Sequence, residues 1–205
     1  MGGLLRLSRG IDAMNAAVGR TAAWAIVVAI LVSAVNAIVR KVFGVSSNAW
    51  LELQWYLFGA VFMLCAPWTL AANEHIRIDI LSSRLTQRGR NVVELFGQFV
   101  FLLPFALVMV YLSIPYVRLS VLSGEVSSSA GGLIIWPAKL LILAGFVLLL
   151  VQWLSEVIKR VAIAQGRLAD SHQVGHTAAA EAEAERLLAQ AEIDPAVEMP
   201  AAARG

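Results

Sequence analysis

The chain has 205 residues, of which 59% are apolar and only 15% charged, and its mean hydropathy is +0.74. Soluble domains hold about 45–50% apolar residues, so this composition points away from one and toward an integral membrane protein. The net charge of +2 does not make a nucleic-acid binder, because the basic residues flank long apolar runs and orient them in a bilayer. The lone cysteine, Cys65, forms no internal disulfide and gives no metal framework.

Residues 4–18 place Leu4, Leu7, Ile11, Met14 and Val18 at spacings of three and four, with Arg6, Arg9, Asp12 and Asn15 mostly elsewhere on the wheel. The pattern predicts a short amphipathic helix within 1–20, lying among lipid headgroups with its basic side toward anionic lipid. A frayed end is the alternative. The first span is expected over 21–39. A secretory signal peptide is the rival reading, with Arg20 before the apolar run and Val35-Asn36-Ala37 as a poor cleavage site, but the run is long for one. Ala22, Ala25, Ala29, Ser33 and Asn36 form a stripe of small and polar residues suited to close helix contact.

The second span, 51–72, is about 33 Å long at 1.5 Å per residue, enough to cross the hydrocarbon. Its entry is wet and aromatic: Asn48, Trp50, Glu52, Trp55 and Tyr56. Glu52, Trp55, Tyr56 and Gly59 fall at i, i+3, i+4 and i+7 and share a face, which marks a candidate partner interface. Pro67 is expected to kink the last third. The polar stretch that follows alternates Glu74, His75, Arg77 and Asp79 with Ile76, Ile78 and Ile80, as an extended or interface-hugging piece would. His75, Arg77 and Asp79 are therefore candidate partner contacts. His75 and Asp79 alone do not make a metal site, since no third ligand stands near.

The third span is expected over 92–114, with Glu94, Gly97, Gln98 and Phe101 on one face and Pro104 within it. A Ser/Gly-rich loop, 115–136, then leads to the fourth span, 137–157, with Pro137 at its first position. Gly145, Gln152 and Ser155 or Glu156 share a face there. Residues 21–165 thus form a four-helix membrane domain, and 166–205 an Ala/Glu-rich soluble tail, disordered or in part helical over 177–191.

Orientation follows from the Lys and Arg distribution. With the N-terminus inside, the inner regions up to 167 hold Arg6, Arg9, Arg20, Arg77, Arg84, Arg88, Arg90, Lys159, Arg160 and Arg167. The outer ones hold Arg40, Lys41, Arg118 and Lys139. Both termini and the segment 73–91 are therefore expected to be cytoplasmic.

No phosphate loop, nucleophile–base pair or cysteine pair is present, and no cofactor is expected. No Asp, Lys or Arg lies deep in a span, where each would cost about 2.5–3.5 kcal/mol. A lone pump usually keeps such a residue midway. Glu52 and Glu94 stand near span ends instead, which favours a scaffold or accessory subunit over an enzyme. A small multidrug-type proton-coupled exporter and a membrane anchor for an enzyme complex are the rival classes. The first is disfavoured by the position of Glu52, the second by the absence of haem-ligand histidines in the spans.

The stretch NAWLELQWYLFGAVFML, the segment NEHIRIDIL and the run GEVSSSAGGLIIWPAKLLILAGFVLLLVQWLSEVIKR together resemble the small permease subunit of tripartite ATP-independent periplasmic (TRAP) transporters, the DctQ-like family. The resemblance covers residues 20–163 and departs from the family at Ile134 and Leu143, where such proteins often carry Pro. It implies a bacterial inner-membrane subunit that widens the scaffold of a large permease. That permease holds the substrate and sodium sites. A periplasmic binding protein delivers the substrate, typically an organic acid.

Overall fold

The computed structural model describes residues 2–44, 47–72 and 87–165, and in these the fold is helical. The helices are α1 (Gly2–Phe43), α2 (Asn48–Ala72), α3 (Gln87–Gly97), α4 (Leu103–Ser123) and α5 (Trp136–Ala164), with a π-helical turn at Gln98–Leu102 between α3 and α4. Among the described residues there is no strand, only an isolated antiparallel bridge between Val126 and Ile134. Four stretches are long and apolar enough to cross a membrane: α1, α2, Leu95–Ser123 and α5. The segment 73–86, with His75, Arg77 and Asp79, and the tail beyond 165 lie outside the described residues.

The amphipathic stretch and the first span are one helix rather than two. α1 has 42 residues, about 63 Å at 1.5 Å per residue, against a hydrocarbon thickness of about 30 Å. No breaker stands at the expected joint. The single Gly19 costs a helix only about 1 kcal/mol, and Arg20 and Thr21 donate back to the carbonyls of Ala16 and Ala17, one turn earlier. The face that packs also differs from the apolar one. Ser8, Ile11, Asn15, Gly19, Ala22, Ala29 and Val32 are buried, whereas Leu4, Leu7 and Met14 are exposed. Small and polar residues, not large apolar ones, let helices approach in an apolar surround.

Prolines shape two of the helices without ending them. Pro104 has no N–H and its ring crowds the carbonyl four residues back. The ladder loosens just ahead of it, so that the Leu103 N–H reaches the carbonyl of Gln98, the π-helical spacing. Pro115 was a plausible stop, but α4 runs through it to Ser123. The third span is therefore longer than 92–114, and the loop shrinks from 115–136 to 124–135. α4 ends at Gly124, which adopts a left-handed conformation (φ 60). The Gly124 N–H bonds Val121 O and the Glu125 N–H bonds Ser120 O, a Schellman closure.

α5 is the central helix, packed against α1, α2, α3 and α4. Paired residues give its direction: Ser8 with Ser155 and Asn15 with Gln152 make α1 and α5 antiparallel. α4 is also antiparallel to α5, because Phe105 stacks edge-on against Phe146 and Lys139 covers the Tyr116 ring. α2 runs parallel to α5. They come close at Gly145, where a Cβ would stand 2.8 Å from Met63 Cβ and 2.9 Å from Met63 O. That carbonyl is the one Pro67 leaves without its helical N–H. α5 runs unbroken through Leu143. The first residues of α1 and the last of α5 share one end, and the 124–135 loop closes the other.

Candidate functional site: a loop fastened to the start of α2

At the loop end, α2 turns a polar stripe toward residues 124–135. Asn48, Glu52 and Tyr56 follow one another at one-turn intervals, so a single helix face presents three polar heads. Each meets a different part of the loop. The Asn48 amide donates to the carbonyl of Ala130 at 3.1 Å. One Glu52 oxygen accepts from the Ser127 hydroxyl and the other from the Leu133 N–H at 2.6 Å. The Tyr56 hydroxyl donates to the carbonyl of Ile134 at 3.2 Å.

The loop's own bonds complete the arrangement. The Ser127 N–H donates to Leu133 O at 2.9 Å and the Ile135 N–H to Glu125 O at 3.0 Å, which closes the two arms into a narrow hairpin. Ser129 N–H bonds the Ser127 hydroxyl within the turn. Gly132 sits where the arms and Glu52 converge: a Cβ there would stand 2.5 Å from Ser127 Cβ and 2.9 Å from Glu52 Oε1. No side chain fits. Lys139 on α5 pairs with Glu125 and lies 3.9 Å from the centre of the Tyr116 ring on α4. The Lys139 ammonium holds the Glu125 carboxyl below its ordinary range. Glu52 itself is 7% exposed. A buried carboxylate is strongly disfavoured unless hydrogen-bonded, and here both oxygens are used.

A second polar cluster joins α1 and α5 at the opposite end. Gln152, 0% exposed, is its hub. Its oxygen accepts from the Asn15 amide at 2.7 Å, and its nitrogen donates to Asp12 at 2.8 Å and Glu156 at 3.1 Å. Ser155 donates to Asp12 at 2.7 Å and shares a 2.8 Å hydroxyl contact with Ser8. Lys159 pairs with Asp12 at 3.2 Å and with Glu156. Beside it, the Trp153 indole donates to Gln98 O at 3.1 Å, the carbonyl at the π-helical turn. Among the described residues, no group of three or more His, Cys, Asp or Glu is arranged to hold a metal.

Of the four α2 residues read as one face, Glu52 and Tyr56 bind the loop of their own chain. Trp55 is 70% exposed and Gly59 is half-buried. Asn48 extends the Glu52–Tyr56 stripe by one turn toward the helix start. Ser127, Gly132, Glu125 and Lys139 carried no local signal beyond loop composition and a helix start, because their partners lie far along the chain. Ile134 pairs with Val126 and receives the Tyr56 bond.

Four helices long and apolar enough to cross a membrane define a multi-pass, all-α membrane protein. A family model described as Tripartite ATP-independent periplasmic transporters, DctQ component, matches residues 16–162. The chain belongs to this family and is a small membrane subunit of a TRAP transporter. No match was found among curated proteins or among solved structures.

Proposed function

We propose that this subunit is a static scaffold in the bacterial inner membrane. It braces a large permease that takes up an organic acid with sodium, the acid being delivered by a periplasmic binding protein. The observation that carries the scaffold reading is the use of Glu52. The acid of α2 directs both oxygens to the chain's own loop, so it is a structural group rather than an open ion or proton site. The family membership supports the transport role and the two partners. His75, Arg77 and Asp79, with the exposed Trp55, are the proposed contacts to the large permease and lipid. The excess of Lys and Arg at 6–20, 77–90 and 159–167 supports cytoplasmic termini and a periplasmic 124–135 loop.

Two experiments test this reading. A tagged chain expressed with its large permease should retain it through purification in mild detergent; purification without a multi-span partner refutes the scaffold role. Reporter fusions should be active in the periplasm after Val45 and Gly124 and inactive there after Arg84 and Gly166. Periplasmic activity at Arg84 overturns the orientation.

A further inference from the structure

The connection between α4 and α5 is longer and more firmly held than joining two antiparallel helices requires. Such connections usually take about 2–8 residues, and a Ser/Gly-rich one has little conformational preference of its own. Here residues 124–135 are bonded to α2 through Asn48, Glu52 and Tyr56 and to α5 through Lys139. The hairpin bridge ties the two arms to each other. The tip, residues 128–131, carries only small uncharged side chains and is exposed. Glu52 stands at the centre of this construction. Its carboxylate bonds both arms of the hairpin, Ser127 on one and Leu133 on the other. A carboxylate set inside an apolar helix near the membrane boundary is an expensive way to secure a loop that only connects.

We propose that Glu52 is a positioning residue for the 124–135 loop, holding its tip in one conformation for contact with the soluble substrate-delivery protein. The proposal rests on the scaffold reading above, in which this end faces the periplasm. Its physical content is preorganisation. A loop already in its bound shape pays no ordering entropy on docking, whereas a released loop is competent only part of the time, and apparent affinity falls by that fraction. The effect is on the encounter with the delivery protein, not on the translocation step.

The test uses the complete two-subunit complex in proteoliposomes with its binding protein, in a Cys65→Ser background carrying a spin label at Ser129→Cys. Glu52→Leu removes the latch from the α2 side. Gly132→Val removes it from the loop side, so that one variant remains if the other does not assemble. Glu52→Gln keeps an oxygen for the Leu133 N–H and an amide for the Ser127 hydroxyl, and should restore the wild-type signal. In Glu52→Leu and Gly132→Val the label should become mobile. The binding-protein concentration for half-maximal uptake should rise about tenfold if the competent fraction falls to about a tenth, with the maximal rate kept within about twofold. A label that stays ordered in both variants overturns the latch. A mobile label with unchanged half-saturation, or a fall in maximal rate alone, overturns the positioning role while leaving the scaffold reading intact. Uptake by the unaltered complex that does not depend on any binding protein would overturn the delivery part of the proposed function, and with it this role for the loop.

Discussion

Gln152 and Asn15 are neighbours in one buried cluster, yet their replacement should have unequal effects. Gln152 makes three hydrogen bonds, to Asn15, Asp12 and Glu156, whereas Asn15 makes one, and Asn15 Oδ1 has no partner among the described residues. Gln152→Met keeps nearly the same volume but leaves the Asn15 amide, 1% exposed, unpaired at both ends. An orphaned buried polar group costs about 1–3 kcal/mol, and loss of an interhelical bond in a membrane protein adds about 0.6 kcal/mol. Asp12 and Glu156 are less affected, since Ser155 and Lys159 remain to them. Asn15→Leu removes a group that was already half-satisfied and orphans only Gln152 Oε1, about 1–3 kcal/mol, while the Gln152 bonds to Asp12 and Glu156 stay in place, so its total cost should be the smaller. The double variant should be destabilised by about 1–2 kcal/mol less than the two singles added, because Asn15 is no longer there to be orphaned. Unfolding of the purified subunit in mixed micelles with increasing SDS measures all three. Equal costs for the two singles, or simple additivity, would refute the hub-and-spoke account of this cluster.

Other expectations follow from the same geometry. Gly145→Leu should destabilise the subunit by at least the 1–3 kcal/mol typical of overpacking, roughly, because its side chain meets the Met63 backbone; an unchanged melting temperature in detergent would contradict the close α2–α5 approach. Trp153→Phe keeps an aromatic edge for Phe99 but loses the donor to Gln98 O, so it should cost about 1 kcal/mol in the same SDS titration and leave the complex assembled. The Glu125 carboxyl titrates lower in the folded loop than its ordinary 4.5. The stabilisation it contributes is thus present above that pH and lost as the pH falls through the lower folded value. A spin label at Ser129→Cys should report constant mobility from neutral pH down to 4.5 and loosening only in more acid solution, a response that Glu125→Gln should remove. Asp79→Ala should lower the yield of the two-subunit complex more than the uptake per assembled complex; loss of sodium coupling with normal assembly would show this subunit taking part in the ion cycle.

The four spans were legible in the sequence because crossing hydrocarbon is a local, additive requirement: about twenty consecutive apolar residues suffice, whatever their neighbours. The wet start of α2 was legible for the same reason, since Glu52 and Tyr56 interrupt an otherwise apolar run. What they do was not, for Glu52 and Leu133 are separated by 81 positions and meet only because α2 and α5 lie side by side. Continuity of α1 and passage of α4 through Pro115 were decided by context as well. A proline or a composition change marks where a helix is weak, but packed neighbours decide whether it ends there. The apolar periodicity of residues 4–18 pointed to one face, while α5, with Gln152 and Ser155 on its surface, selected another, the stripe of Ser8 and Asn15. Hydropathy along the chain therefore determined that this protein crosses the membrane and where. The partners of its polar groups, and with them the fixed shape of the 124–135 loop, depend on which helices stand together, and only the tertiary structure decides that.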